Sequence, residues 1–166
     1  LFHFIINWND SIRQKKISAL ILLDIDWFKK VNDDHGHAAC DAVLKAIAQT
    51  LKNKIRKSDV LARWGGEEFI IYLPNTSKYE AMLLAEVIRK KIEKMIIIIE
   101  TKPLTVSASF GVAESSIETH KFEDLIKLAD IALYKAKNSG RNKVCEIQEK
   151  SDSNAKQDKS NVHSLR

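Results

Sequence analysis

The stretch SALILLDI, residues Ser18–Ile25, decides the fold of this chain. Its apolar residues run on without the polar alternation of a half-exposed strand, which predicts a buried strand in the centre of a sheet. An acid, Asp24, stands next to the last residue of the run. The fold must therefore cover this strand and also accommodate a carboxylate near its carboxyl end.

Amphipathic helices and short strands alternate around this stretch. Apolar residues at helical spacing predict four helices, over Leu1–Gln14, His37–Ile55, Lys78–Lys94 and Phe122–Ser139. Five further strands are predicted, over Asp59–Trp64, Glu67–Leu73, Met95–Thr101, Leu104–Ala113 and Lys143–Ile147. These elements predict an α/β (α+β) sandwich in which helices flank a mainly antiparallel central sheet.

Local signals define several of the connections. The pair Gly65-Gly66 predicts a two-residue hairpin turn with positive φ at both glycines, and Gly140 predicts a helix stop. The run Met95–Ile99 is too short for a membrane span and predicts a buried strand.

Residues 1–147 are predicted to form one domain, because 166 residues suit a single core. The helix at Leu1 has no N-cap residue before it, so we expect a missing upstream region. Residues 148–166 have almost no large apolar side chains and are predicted to be a disordered polar tail.

Composition excludes several classes of protein. The two cysteines, Cys40 and Cys145, indicate neither a disulfide framework nor a metal site, which favours a reduced, cytoplasmic setting. The formal net charge of +5 is spread along the chain without the basic stripe of a duplex reader, so we expect no nucleic-acid partner. An anionic small ligand is compatible with this charge.

Acids at two strand ends are candidates for chemistry. Glu67 and Glu68 follow the glycine pair directly, and Asp24 closes the first strand. If the two strands are neighbours, Asp24 and Glu67 meet at one end of the sheet, where carboxylates and a backbone carbonyl suit Mg²⁺. The alternative is that each acid merely solvates a strand end, and spacing alone does not decide between them.

Two other segments could bind an anionic ligand. Lys29 and the helix start that follows would attract phosphate, while Asn32 and Asp41 could read the edge of a base. Lys137 and Arg141 end the last helix. The alternatives are a loop of turn residues in the first segment and cations that complement the helix dipole in the second.

Four motifs in order, taken together, resemble the GGDEF family of diguanylate cyclases. They are LLDIDWFKKVNDDHGH, GGEEF at Gly65–Phe69, SFGVA at Ser109–Ala113 and ADIALYKAKNSGRN at Ala129–Asn142. The resemblance implies a palm-type, nucleotidyl-cyclase-like fold and the condensation of two GTP molecules into cyclic di-GMP with Mg²⁺ or Mn²⁺. It further implies a homodimer during catalysis, a weakly associating monomer for the isolated domain, and an upstream sensory region, which would be compatible with a membrane anchor.

The resemblance also assigns roles to individual residues. Asp24, Glu67 and the Ile25 carbonyl would bind the metal, and Glu68 would support the metal or the attacking hydroxyl. The substrate contacts would be Lys29, Asn32, His37, Asp41, Gly65, Gly66, Lys137 and Arg141. Asn32 and Asp41 would read guanine with His37 close by, the glycines would leave space for the nucleotide, and Lys137 and Arg141 would clamp its terminal phosphates.

One segment of the chain departs from the family pattern, and another matches a regulatory motif of the family. The family reads GHxxGD where this chain reads GHAACD, so Cys40 either crowds the guanine or points away from it. Arg56 and Asp59 form an R-x-x-D pattern five residues before the glycine pair, where family members bind cyclic di-GMP as an inhibitor.

Two other functions stay open on the sequence alone. One is a non-catalytic module that binds cyclic di-GMP or GTP. The other is a related palm-type cyclase that makes a mononucleotide or a mixed dinucleotide.

Overall fold

Four helices and seven strands follow one another in the computed structural model, which describes residues 2–116, 119 and 121–147. They are α1 (Phe2–Arg13), β1 (Ser18–Ile25), α2 (Phe28–Lys52), β2 (Val60–Arg63), β3 (Glu68–Pro74), α3 (Lys78–Glu93), β4 (Ile97–Ile99), β5 (Lys102–Leu104), β6 (Ala108–Glu114), α4 (Phe122–Asn138) and β7 (Val144–Glu146).

The apolar run β1 is the middle strand of a five-stranded sheet with the order β2-β3-β1-β6-β7. All eight of its residues are buried. Each pairing is antiparallel except that of β6 with β7, which is parallel. The predicted mainly antiparallel central sheet flanked by helices is confirmed.

Alternate residues of β1 face two separate cores, because successive side chains of a strand point to opposite faces. Ile21 and Leu23 pack in the core formed with α2 and α3. Leu20 and Leu22 pack in the second core, with α1 and α4. Asp24 has the parity of Leu20 and Leu22, and its side chain therefore belongs to the α4 side of the sheet.

The second core is fixed by a close approach of α4 to β6. A β-carbon added to Gly111 would lie 2.1 Å from the carbonyl oxygen of Ala129 and 2.3 Å from the backbone nitrogen of Leu133. Only glycine allows this contact, and a lone glycine inside a strand is a sequence signal for it. Helix α4, which carries Lys137 and leads to Arg141, is thereby held directly against the sheet.

Helix α2 begins at Phe28, nine residues before the predicted start at His37. The helix is broken at Gly36, whose φ of 75° and ψ of −179° are not helical. The segment before the glycine, which could have been a loop of turn residues, is helical and buries Val31 against the core. A glycine is needed at the break because a positive φ is strained for other residues.

The strand predictions around Pro103 are wrong in part. The predicted strand over Leu104–Ala113 is two strands, with Leu104 in a separate β4–β5 hairpin and β6 starting at Ala108. The run Met95–Ile99 is not buried throughout, since Ile96 and Ile98 are 64% and 61% exposed. A two-stranded hairpin packs only one of its faces against the core, and in this hairpin Ile97 lies on that buried face.

The predicted tail, residues 148–166, lies outside the described residues, as does Leu1. Within the described ranges, no helix combines the length and apolar character that a membrane span requires.

Candidate active site

The register of β1 and β3 brings the acids together at one end of the sheet. Asp24 stands directly opposite Glu68, and the Ile25 backbone nitrogen donates to the Glu67 carbonyl oxygen at 3.3 Å. The meeting of the first strand with the acids that follow the glycine pair agrees with the sequence analysis. The roles of these acids as metal ligands stay predictions.

Asp24 forms an ion pair across the α4 side of the sheet. Its Oδ2 atom lies 2.7 Å from Nζ of Lys137, and the residue is only 6% exposed. Burial raises the pKa of the Asp24 carboxyl, and the hydrogen bond and charge of Lys137 offset part of that rise. Lys137, predicted as a phosphate clamp, thus neutralises the strand-end aspartate in this structure.

The acids next to this pair carry negative charge that one ammonium does not balance. Burial raises the pKa of both Glu67 and Glu68, and the nearby charge of Asp24 raises them further. Carboxylate oxygens in such excess are the hard ligands that a divalent cation such as Mg²⁺ prefers. Within the described residues, no three His, Cys, Asp or Glu side chains cluster as metal ligands. The Asp24 and Glu67 carboxylates with the Ile25 carbonyl stay the predicted donor set.

The connection between β2 and β3 differs from the predicted hairpin turn. Neither Gly65 nor Gly66 has a positive φ. The guanidinium of Arg63 instead donates to both glycine carbonyls, at 2.6–3.2 Å, and fixes the loop. Sequence reasoning overlooked Arg63, although an arginine just before a glycine pair is a donor placed next to unpaired carbonyls.

The two glycines are not equivalent. A β-carbon at Gly65 would lie 2.8 Å from Oε2 of Glu68, whereas one at Gly66 would meet nothing within 4 Å. A side chain at Gly65 would therefore displace the Glu68 carboxylate, which is the end of a flexible side chain. Gly66 borders open space, and its role as a substrate contact stays a prediction.

The candidate phosphate contacts lie at the start of α2. Trp27 is its N-cap residue, with a left-handed φ of 59°, and no side chain caps the helix. Lys29 follows in the first turn and is exposed. Backbone N–H groups at an uncapped helix start favour an anion.

The candidate base readers lie on both sides of the break in α2. Asn32 is half-buried, while His37 and Asp41 are exposed. Cys40 links the two parts, because its thiol lies 3.8 Å from Oδ1 of Asn32. Burial, followed by the charges of Asp41, Asp33 and Glu67, raises the pKa of that thiol, so it lies within electrostatic reach of the predicted base and metal sites.

The structure answers the question raised by the cysteine that replaces a family glycine. The backbone of Cys40 is helical, so a side chain there causes no strain. The thiol is buried and faces the amide of Asn32, one of the two predicted base readers.

Asp26 is a buried acid beside the candidate site that sequence reasoning missed. It is 4% exposed, and its carboxylate accepts hydrogen bonds from Ser107 Oγ at 2.7 Å, Ser109 Oγ at 2.6 Å and the Asn142 backbone nitrogen at 3.0 Å. Asp26 thereby ties the end of β1 to β6 and to the turn after α4. An acid two residues beyond another acid at a strand end was the available signal.

Arg141 lies in the turn that Asp26 holds. The residue has a φ of 59°, and its backbone nitrogen donates to the Ala136 carbonyl at 3.0 Å, closing the end of α4. Its guanidinium carbon lies 3.9 Å from the centre of the Trp27 ring. The charge of Arg141 also reaches Asp24 and contributes to the balance of its pKa.

The predicted inhibitory motif forms a turn on the surface after α2. The Asp59 carboxylate accepts from the Arg56 backbone nitrogen at 2.7 Å and from Ser58 Oγ at 3.2 Å. The Arg56 side chain is exposed, and its charge helps to lower the pKa of Glu80, after the hydrogen bonds from Ser77. Binding of cyclic di-GMP there stays a prediction.

A cavity of about 400 Å³ lies beside these groups, between the start of α2 and the segment before β6. It meets the site through Asp26 and Trp27 and contains none of the predicted base readers. Its lining does not include Asp24, Glu67 or Glu68.

Comparison with known proteins identifies the family. A family model described as diguanylate cyclase, GGDEF domain, matches residues 3–143. Diguanylate cyclase A of Treponema denticola is 42% identical over 136 residues, which cover 82% of this chain and 37% of that protein. The chain spans about a third of the length of the curated relatives it matches.

Solved structures give the same result. The active GGEEF domain of a diguanylate cyclase from Vibrio cholerae is 34% identical, with a TM-score of 0.80 and coverage of 86% of this chain and 91% of that one. The GGDEF domain of DgcB from Caulobacter crescentus, in complex with c-di-GMP, is 28% identical, with a TM-score of 0.80 and coverage of 84% and 80%. The palm-like architecture expected from the sequence is confirmed by these neighbours, and the chain belongs to the diguanylate cyclase GGDEF domain family.

Proposed function

We propose that this domain is a diguanylate cyclase that condenses two GTP molecules into cyclic di-GMP and releases two pyrophosphates. The observation that carries the proposal is the register of β1 with β3, which sets Asp24 opposite Glu68 at the sheet end where Glu67 also lies. Membership in the GGDEF family supports the same activity.

Asp24, Glu67 and the Ile25 carbonyl hold a divalent metal, Mg²⁺ or Mn²⁺, in this proposal. The buried Asp24 carboxylate and the half-buried Glu67 carboxylate beside it support this metal site, because their excess negative charge calls for a cation. When bound, the metal polarises the α-phosphate and stabilises negative charge in the transition state. Lys137 pairs with Asp24 in this structure, and its ammonium would be free to bind the terminal phosphates if a metal ion balanced the charge of Asp24.

The remaining contacts orient GTP. Asn32 and Asp41 receive the guanine edge, with His37 beside the nucleoside, while Lys29 and the uncapped start of α2 bind phosphate oxygens. Arg141 clamps the terminal phosphates together with Lys137. Electrostatic stabilisation and positioning supply most of the rate, as in other phosphoryl transfers.

The reaction forms one bond and breaks one bond in each half. The 3′-oxygen of one GTP bonds to the α-phosphorus of the other, and the bond from that phosphorus to the β-phosphate oxygen breaks to release pyrophosphate. Glu68, next to Glu67 and opposite Asp24, would support the attacking hydroxyl, and the proton that the hydroxyl loses leaves to the solvent. Two half-reactions close the cyclic product.

One domain binds one GTP, so catalysis requires two domains that face each other in a symmetric dimer. We expect the isolated chain to associate weakly, with an upstream sensory region holding the dimer in the whole protein. Arg56 and Asp59 bind cyclic di-GMP as an inhibitory product, since an exposed guanidinium can fork onto guanine or phosphate.

Product formation by a tethered dimer tests this proposal. The chain fused to a dimerising coiled coil is incubated with GTP and Mg²⁺, and the nucleotides are separated and identified by chromatography. Glu67→Gln should abolish cyclic di-GMP formation, whereas Glu100→Gln, at an exposed acid after β4, should retain it. A dimer that makes no more product than Glu67→Gln would refute the activity.

A second candidate is a module that binds GTP or cyclic di-GMP without turnover. The contact of the Cys40 thiol with Asn32 favours it, because the thiol competes for an amide oxygen that would read guanine. Nucleotide binding without product formation in the same assay would support this candidate, and a mononucleotide product would indicate a different cyclase.

A further inference from the structure

We propose that Trp27 is a positioning residue for the phosphate clamp, and that its indole holds the guanidinium of Arg141 ready for the terminal phosphates of GTP. The inference rests on the proposed function, because it takes Arg141 as a phosphate contact. Trp27 would be a further residue of the site, and its side chain contacts Arg141 and not the reacting atoms.

The contact itself is short. The guanidinium carbon of Arg141 lies over the Trp27 ring at 3.9 Å from its centre, well inside the distance of about 6 Å within which cation–π attraction operates. Tryptophan is the strongest aromatic partner for a cation. Trp27 is nevertheless 64% exposed, so its burial in a core does not explain its place in the fold.

The backbone on both sides of the contact is fixed. Asp26, next to Trp27, accepts from the backbone nitrogen of Asn142, which follows Arg141, at 3.0 Å. Trp27 and Arg141 both have a left-handed backbone, with a φ of 59°. A second anchor holds Asn142, whose side chain accepts from Arg89 at 2.7 Å and donates to Glu93 at 2.6 Å.

The stacking is compatible with phosphate binding. A guanidinium attracts an aromatic ring through its face, and it binds phosphate through the N–H groups along its edge. Within the part of the chain that the structure describes, no ion pair occupies the Arg141 side chain, whereas Lys137 is paired with Asp24. Trp27 therefore orders the arginine without using the donors that the phosphates need.

Such ordering lowers the cost of binding. A free arginine side chain loses rotamer freedom when it binds phosphate, and a side chain already held in place loses less. Loss of the indole should therefore weaken binding of the triphosphate and leave binding of the base unchanged.

The test compares two nucleotides that cannot react, 3′-deoxy-GTP and 3′-deoxy-GMP, by calorimetric titration of the full chain with Mg²⁺. Trp27→Ala should weaken 3′-deoxy-GTP binding by roughly 2- to 30-fold, the range expected for one cation–π contact. Binding of 3′-deoxy-GMP, which lacks the terminal phosphates, should change by less than about 2-fold, by the same reasoning.

Further variants separate the cation–π attraction of the ring from the packing of an apolar side chain. Trp27→Phe should restore part of the affinity and Trp27→Leu should not, because only the first keeps an aromatic face. Tyr79→Ala removes another exposed aromatic, on α3, and should leave the ratio of the two affinities as in the wild type.

The Arg141→Ala background distinguishes failure of this inference from failure of the proposed clamp. If Arg141→Ala weakens 3′-deoxy-GTP selectively, the clamp stands, and Trp27→Ala should then add nothing in that background. An unchanged ratio in Trp27→Ala alone, equal weakening of both nucleotides, or full affinity in Trp27→Leu would each overturn the role of Trp27. If Arg141→Ala leaves the ratio unchanged, the clamp itself is refuted, and the inference with it.

Discussion

Replacement of Gly111 by alanine tests how closely β6 and α4 pack. The new β-carbon would lie 2.1 Å from the Ala129 carbonyl oxygen and 2.3 Å from the Leu133 nitrogen. Ordinary contact begins at 3.4 Å, so the separations are short by 1.3 Å (3.4 − 2.1) and 1.1 Å (3.4 − 2.3). Both partners are backbone atoms of a helix, so no side-chain rotation can relieve the clash.

The expected cost follows from this geometry. Overpacking typically destabilises by about 1–3 kcal/mol, and we expect about 3 kcal/mol because a whole helix has to move. For a domain of this size, 1 kcal/mol lowers the melting temperature by about 2–4 °C, so Gly111→Ala should melt about 6–12 °C below the wild type.

Thermal unfolding followed by circular dichroism measures this difference. Gly66→Ala is the matched control, since a β-carbon there meets nothing within 4 Å and the φ of Gly66 is not positive. It should melt within about 2 °C of the wild type, because alanine is no less stable than glycine where the backbone permits it. A Gly111→Ala protein that melts as high as Gly66→Ala would refute the close packing described here.

Three further substitutions test single contacts. Cys40→Gly removes the thiol that competes with guanine for the Asn32 amide, and one such hydrogen bond is worth about 0.5–1.5 kcal/mol. The KM of the tethered dimer for GTP should therefore fall by about 2- to 10-fold. An unchanged or higher KM would show that the thiol does not compete with guanine. Asp26→Asn should lower the free energy of unfolding by about 2 kcal/mol, because the charge-assisted hydrogen bonds from Ser107 and Ser109 to a buried carboxylate are lost. The melting temperature should fall by about 4–8 °C, and a fall of less than about 1 °C would contradict a stabilising role of Asp26. Tyr72→Phe should lower the free energy of unfolding by about 1 kcal/mol, since it removes the 2.9 Å bond to Ser11. Urea unfolding would show this as a lower midpoint at constant slope, and an unchanged midpoint would mean that this bond adds no net stability.

Most of the elements are predictable from the sequence because their signals are local. The run Ser18–Ile25 is a buried strand with the predicted bounds, and Lys78–Glu93 ends one residue before the prediction. Periodic apolar residues report which face of an element is covered, and this does not depend on what covers it. Once β1 and β3 were taken as neighbours, the meeting of Asp24 with the acids after the glycine pair followed from strand geometry.

The predictions of local structure were wrong where the same short sequence is compatible with more than one backbone conformation. A glycine pair suits a two-residue turn, but Arg63 bonds to both carbonyls and stabilises another loop. The residues before Gly36 resemble turn residues, yet they form a helix because Val31 gains burial. In both cases a contact with another part of the chain outweighed the local preference.

The sequence alone determined the order of the helices, most of the strands, the acidic strand ends and the family. Only the tertiary structure decided that Lys137 pairs with Asp24, that Trp27 stacks on Arg141 and that Asp26 bonds to Asn142, 116 positions away. Local preferences act over a few residues, whereas these contacts exist only after the sheet has brought β1 and the end of α4 together. Their partners are therefore set by packing, which no single stretch of the chain encodes.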